Sequence, residues 1–286
     1  MPGIDDSKCV LVVGSTAGIG KSLALAVLAL PSNPTVIISG RRQERLDDII
    51  SEHGKSGRLA GIRMDIDSDR ASLKKTVSDV LAKYPKLDTV IFAAGIQRRF
   101  DFANPESVEL DLVSELVSEL NTNYTAIVTV ITYLLPHMLK LGASGQPCFI
   151  VPITSGLAIT PPPWVPNYGA TKAALHSFSV SLSFQLTDTN VRVMEIFPPL
   201  VESELHDREY TMPFVELPFD HTEAIDQGTT DKLSKIWMPV EEFTGLAMDG
   251  LKRGDVQIPV GNAKDSFEQF EKGKMEVVKG MINKMK

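Results

Sequence analysis

The feature that most limits what this chain can become is a repeated unit: a short apolar, β-branched run followed by a turn and a segment with helical spacing. The first copy is the sharpest. Cys9 to Val13 is apolar throughout, ends in Gly14-Ser-Thr-Ala-Gly18-Ile-Gly20, and leads into a periodic helical segment from Lys21 to Leu30. Thr35 to Ser39 reads as the next strand, Gln43 to His53 as a helix, Leu59 to Met64 as a strand and Ser68 to Lys83 as a helix. Leu87 to Ala94 is a fourth strand, followed by a long helical pattern from about Val108 to Leu141. A strand at Phe149 to Ile153, a helix containing Tyr168 and a strand at Val191 to Phe197 complete the alternation. Apolar strands alternating with amphipathic helices need cover on both faces. The expected fold is therefore α/β, a doubly wound, mostly parallel sheet with helices on both faces. In such sheets ligands bind beyond the carboxyl ends of the strands.

At 286 residues and 43% hydrophobic, with a mean hydropathy of +0.01, the chain is long enough to bury a large core. It has no Gly/Ser-rich linker, internal repeat or low-complexity tract, so a single domain over 1–286 is expected. Within it, 203–238 reads as a substrate lid and 263–286 as a C-terminal extension. A formal charge of −7 and a pI near 5.3 speak against nucleic acid or an anionic membrane as partner. No apolar run approaches a membrane span, and the first residues lack a basic stretch followed by an apolar one, so a cytoplasmic location is the expectation. Cys9 and Cys148 sit in apolar runs without a Cys-x-x-Cys pair, the five histidines lack ligand spacing, and no metal is expected.

Strand, glycine turn and helix together aim helix N-terminal amides at a phosphate, with glycine wherever a Cβ would block close backbone approach. A P-loop nucleotidase is a remote alternative, because Gly20-Lys21-Ser22 resembles the end of such a loop. That loop needs glycine at position 15, which is Ser15, and a later strand ending in Asp. The later strands end in Ser39-Gly40, Ala93-Ala94-Gly95 and Ile153-Thr154-Ser155. About twenty residues beyond the turn, an acid would bond the ribose 2′-hydroxyl of NAD. Gly40, Arg41 and Arg42 stand there instead, and a 2′-phosphate would meet a guanidinium. NADP(H) is the expected cofactor, with Arg41 favoured over Arg42; a solvated helix start is the alternative. Asp65 either accepts from an adenine amino group or caps a helix.

Tyr168 and Lys172 are four residues apart at the start of an apolar run, Ala173 to Leu186, and share one helix face. Bringing a phenol from a pKa of about 10 to about 7 takes roughly 4 kcal/mol of preferential stabilisation of the phenolate, which a nearby fixed ammonium in a partly desolvated cleft can supply. Alone, the pair reads more simply as two surface side chains.

The rest of the chain changes that balance. The turn Gly14, Gly18, Ile19, Gly20, then Asp65-Ile66, Ala93-Ala94-Gly95-Ile96, Asn123, Ser155 and Tyr168-x-x-x-Lys172 occur in one order, with Ser155 thirteen residues before Tyr168. Together they resemble the short-chain dehydrogenase/reductase family from Cys9 to about Ser203. The resemblance implies a Rossmann-type nucleotide fold and hydride transfer between a nicotinamide cofactor and a carbonyl or alcohol. It implies that Tyr168 is the general acid in reduction and the base in the reverse direction, and that Lys172 lowers its pKa and holds the nicotinamide ribose. Ser155 would hydrogen-bond the substrate oxygen, and Asn123, with Asn121 as competitor, would hold a proton-relay water. Cofactor contacts are implied for Gly14, Ser15, Thr16, Gly18, Ile19, Gly20, Arg41, Arg42, Asp65, Ile66, Ala94, Gly95, Tyr168, Lys172, Pro198, Val201 and Ser203. Three positions depart from the family pattern: Ala93 replaces an asparagine, Val13 often a threonine, and Pro199 a glycine. The Pro-Pro-Leu-Val form resembles a divergent, DltE-like oxidoreductase branch.

Substrate is expected against Ile159 to Pro166, Gln97 to Phe102 and the insertion from Leu205 to about Trp237. Leu157, Trp164 and Leu200 are candidate contacts, Trp164 being equally a packing anchor or subunit contact. Arg98 and Arg99 could steer an anionic substrate, but read more simply as solvent-facing. The expected function is NADP(H)-dependent reduction of a small to medium, fairly apolar ketone or aldehyde. The alternatives are an alcohol or sugar-alcohol dehydrogenase running oxidatively, and a non-catalytic NADP(H)-binding sensor, which has no need of a phenol beside an amine. The expected partners are a small-molecule carbonyl or alcohol and, from the broad apolar helix faces and the family resemblance, a homodimer or homotetramer.

Overall fold

The computed structural model describes residues 1–103, 111–206 and 236–285. Every residue of β1, Cys9–Val13, is buried, as a central strand covered on both faces must be. Around it lie β2 (Thr35–Gly40), β3 (Leu59–Arg63), β4 (Thr89–Phe92), β5 (Cys148–Pro152) and β6 (Val191–Val193), all parallel, in the order β3-β2-β1-β4-β5-β6. Side chains alternate across the pleat. Val10 and Val12 enter one core layer with Leu23, Val27, Phe243 and Leu251, while Leu11 and Val13 enter the other with Val77, Val130, Leu134 and Leu175. Each such aliphatic side chain contributes about 1.5–3 kcal/mol when removed from water. The parallel register brings Val13, Ser39 and Phe92 to one edge of the sheet, where the glycine turn begins.

The helices follow in the expected places: α1 (Gly18–Leu28), α2 (Gln43–His53) and α3 (Arg70–Lys83). Asp69 caps α3, its Oδ1 accepting from the Ala71 and Ser72 amides at 2.9 and 3.0 Å, so the helix starts two residues later than its periodicity suggests. The long helical pattern is α4 (Leu112–Leu120), a wider π-helical turn at Asn121–Thr125, and α5 (Ala126–Ala143). Taken as one helix, 112–143 is long and apolar enough to cross a membrane, contrary to the expectation that no segment would be. Ile127, Val130, Ile131, Leu134 and Met138 are instead buried in the core.

Two corrections concern the C-terminal third. The run Val191 to Phe197 is not one strand: it breaks at Met194 into β6, paired with β5, and β7 (Glu195–Phe197). β7 pairs with β8 (Gln257–Pro259), reached through the helix α7 (Val240–Arg253). A three-residue strand ending in proline leaves no alternation to detect.

The C-terminal extension then docks. Helix α8 (Ala263–Ser266) lies against the turn at Gly156–Ala158, Ser266 Oγ being 3.0 Å from Thr160 Oγ1, a π turn at Phe267–Glu271 reaches α6 (Pro166–Gln185) through Glu271, and α9 spans Lys274–Met285. The anchor is a buried row of titratable groups. His176 Nδ1 lies 3.0 Å from the Glu195 carboxylate and its Nε2 lies 3.0 Å from Glu271 Oε1. Thr154 donates to Glu195 at 2.7 Å. The Phe197 ring packs edge-on to His176 and to Phe267.

Candidate active site

The strand ends open into a cleft of about 820 Å³. One end is the glycine turn. Gly14 has φ +84°, and a Cβ there would fall 2.4 Å from the Ala94 nitrogen, so only glycine fits. A Cβ on Gly18 would stand 3.1 Å from that of Ser203 across the turn. The N-cap of α1, Ala17, makes no side-chain capping bond, which leaves the first amides of the helix for a phosphate. Gly14, Thr16, Gly18, Ile19, Gly20, Asp65, Ile66, Ala94 and Gly95 all line this end. The arrangement fits the pyrophosphate of a dinucleotide. Ser15, expected among the contacts, does not line it. Its hydroxyl donates to Val12 O at 2.9 Å and accepts from the Ser39 amide at 2.8 Å, and its own amide donates to Ser39 O. It joins β1 to β2 instead. Lys21 and Ser22, the residues a P-loop would use, also lie outside the lining, and Ser22 Oγ is 2.8 Å from Thr244 Oγ1.

At the other end, Ser155, Leu157, Tyr168 and Lys172 share the wall with Pro198, Pro199, Leu200, Val201 and Ser203. Ser155 caps a single turn, its Oγ accepting the Leu157 amide at 3.1 Å. Pro166 at the first position of α6 fixes its start, which puts Tyr168 and Lys172 on the buried face. Lys172 Nζ donates to Ile153 O at 2.9 Å and sits 5.6 Å from the Tyr168 ring centroid.

The expected lowering of the Tyr168 pKa by Lys172 is not what the buried geometry gives. Burial pushes the Tyr168 hydroxyl above its ordinary value; a hydrogen bond with Ser155 opposes this and the Glu119 charge adds to it. Burial draws Lys172 down to about 8, against the pull of the Glu119 and Glu195 carboxylates. Desolvation dominates both shifts, because both side chains are buried here.

Asn123 is fully buried and does not line the cleft. Its Oδ1 accepts the Ile96 amide at 2.9 Å and its Nδ2 donates to Ile96 O at 2.8 Å and to Thr171 Oγ1 at 3.1 Å. The turn after β4, which lacks the usual asparagine, is stiffened from the π turn instead. Asn121 faces elsewhere, donating to Asp67. Glu119, not singled out from sequence, is buried beside the site, accepting from the Arg98 amide at 2.8 Å and from Asn167 Nδ2 at 2.7 Å. Its signal was available: Glu115 and Glu119 share a face of α4, and Asn167 precedes Tyr168.

Several substrate-side expectations need correction. Trp164 is 49% exposed and does not line the cleft, whereas Leu157 and Leu200 do. Arg98 is not in solvent; it pairs with Glu115 and its side chain is only 10% exposed. Asp65 accepts the Asp67 amide rather than capping α3. Of the expected lid at 203–238, residues 207–235, with Met212, Phe214, Leu217 and Phe219, lie outside the described residues. The described residues flanking it are paired, the Met238 amide donating to Leu200 O at 2.9 Å.

The adenosine end holds the other surprise. Arg41 and Arg42 line the cleft as expected, joined by Arg45. The strand end itself carries no acid, but Glu204 reaches it from about 160 positions away, pairing with Arg42 and Arg45. Among the described residues, no group of three or more His, Cys, Asp or Glu is placed to hold a metal ion.

A parallel sheet with a glycine turn at one end of its cleft and Ser, Tyr and Lys at the other defines a nucleotide-dependent oxidoreductase. Residues 8–213 match the model of the short chain dehydrogenase family, and the chain belongs to that family. It is 34% identical over 259 residues to the oxidoreductase DltE of Bacillus subtilis, covering 88% of this chain and 87% of that one. It is 31% identical over 192 residues to the NADP-dependent 3-hydroxy acid dehydrogenase YdfG of Escherichia coli K12, covering 67% and 72%. A short-chain dehydrogenase from Sphingobium yanoikuyae, solved with NADPH, matches with a TM-score of 0.71 at 21% identity, over 94% of this chain and 95% of that one. A 3-ketoacyl-(acyl-carrier-protein) reductase from Brucella melitensis, solved with NADH, matches at 0.70 and 19%, over 88% and 96%. Structural likeness at such identities speaks for the fold.

Proposed function

We propose that this oxidoreductase reduces a small to medium, fairly apolar ketone or aldehyde to the alcohol with NADP(H), Tyr168 giving the proton. The observation that carries this reading is the convergence of Ser155, Tyr168 and Lys172 on one wall of a cleft whose other end is the glycine turn. The cofactor, when bound, supplies the hydride. Ser155 Oγ donates to the carbonyl oxygen and steadies the charge that develops there. Tyr168, protonated at neutral pH as an ordinary phenol is, donates its proton to that oxygen. Lys172, with its pKa drawn to about 8, is close enough to neutrality to resupply that proton. Leu157, Pro199, Leu200 and Ala263 supply an apolar wall, which suits an apolar substrate. Arg41, Arg42 and Arg45 support NADP(H) over NAD(H), as does the NADP dependence in the name of the Escherichia coli relative.

The test is NADPH consumption against a ketone and aldehyde panel. Tyr168→Phe should lower turnover by about 10²–10⁴-fold with NADPH binding nearly intact; unchanged turnover would sink the assignment. For assembly, the reading is a homo-oligomer that covers Val113 and Val117, which are 65% and 60% exposed on α4. A monomeric mass by light scattering would refute it.

A further inference from the structure

Glu204 occupies a position that its place in the sequence does not announce. Arg42 donates through Nε and Nη2 to Thr16 Oγ1 at 3.2 and 2.7 Å and through Nη1 to Glu204 Oε2 at 2.8 Å. Arg45 Nη1 donates to the other oxygen, Glu204 Oε1. One carboxylate thus bridges two guanidinium groups that lie just beyond the end of β2, beside the glycine turn that follows β1, and all four residues line the nucleotide cleft. Two guanidinium groups each donating to one oxygen of the same anion is also an arrangement that can take a phosphate. Arg41 lines the same cleft and, among the described residues, has no ion-pair partner.

We infer that Glu204 is a built-in competitor for the adenosine 2′-phosphate. It pairs with both Arg42 and Arg45 and has to leave them when NADP(H) enters. NAD(H), lacking that phosphate, does not displace it. Glu204 therefore sets the margin by which the chain prefers NADP(H), and it narrows that margin. This rests on the NADP(H) reading above. Both pairs are substantially exposed, with side-chain exposures of 42–46%, so the effect is modest and screened by salt.

The experiment is fluorescence titration with NADPH and with NADH of the wild-type chain, Glu204→Gln and Arg42→Ala, at low and high ionic strength. Glu204→Gln should bind NADPH about three- to tenfold more tightly at low ionic strength, with NADH unchanged and the gain shrinking in high salt. Arg42→Ala should lose NADPH affinity. If the wild type prefers NADPH but Glu204→Gln binds it no more tightly, the inference is overturned and the cofactor reading stands. If no chain prefers NADPH and Glu204→Gln weakens NADH, Glu204 acts as a ribose-hydroxyl acceptor, and both fall.

Discussion

Replacing His176 by alanine tests whether the C-terminal extension is held by charge or only by packing. His176 is buried between Glu195 and Glu271. Burial alone would lower its pKa, but the hydrogen bonds and charges of Glu195 and Glu271 together outweigh it and the net shift is upward. The two carboxylates thus favour the protonated imidazole, and its removal leaves them, among the described residues, with Thr154 and Lys274 as remaining partners. Breaking a buried pair of this kind costs about 3–5 kcal/mol. At about 2–4 °C per kcal/mol, this corresponds to a fall in Tm of roughly 6–20 °C. A histidine whose folded pKa is raised contributes stability that is complete below its ordinary value of 6.5 and is lost as pH rises through the folded pKa. The difference in Tm between wild type and His176→Ala should thus be largest at or below about pH 6.5 and shrink as the pH rises above it. Differential scanning calorimetry across that window is the assay, with Glu271→Gln as a milder companion that keeps the shape and removes one charge. A variant within about 2 °C of wild type at every pH refutes the reasoning. A loss that does not change with pH reduces His176 to a packing residue.

Gly14→Ala should cost at least about 2 kcal/mol and abolish nucleotide binding, since φ of +84° and the Ala94 nitrogen both reject a Cβ; thermal melts and NADPH titration read the two effects. In the reductive direction, turnover should fall as pH rises through about 8, where Lys172 loses its proton. Glu119→Gln, by removing a carboxylate that supports the ammonium, should move that limb to lower pH, which a pH–rate profile of both proteins would show. Cys9 and Cys148, buried and with thiols pushed up to about 12, should resist an alkylating reagent in the native chain and react only after denaturation.

How far the sequence was legible follows from how local each signal is. Cys9–Val13 and the glycine turn were readable because a buried strand, a positive φ and a helix start each leave a mark within a few residues. Tyr168 and Lys172 share a face by helix spacing alone. The sign of the Tyr168 shift was not readable, because it depends on burial and on Glu119, which arrives from another helix. Ser15 and Trp164 show the same limit in reverse. A residue next to a functional turn can be spent on joining two strands, and an aromatic beside the site can face away from it. The hardest to foresee were β8 and Glu204. Three residues carry no period, and a carboxylate that closes on arginines about 160 positions away has no local signature at all.

The reacting side chains lie in the middle of the chain, yet part of the wall that faces them comes from its far end. Glu271 reaches back 95 positions to His176, and Asn262, Ala263 and Ser266 line the cleft beyond β8. On a ribosome adding about 5–20 residues per second, 95 positions take about 5–19 seconds. Throughout that interval the His176 helix has been made and its last partner has not. Residues through Val193 include every strand of the six-stranded sheet and its glycine turn, whereas Phe243 and Leu251, which pack against one of its faces, and the end of the substrate wall are made later. The order of synthesis thus places completion of the site among the last events in the making of this protein, behind long-range contacts that close only against chain entropy.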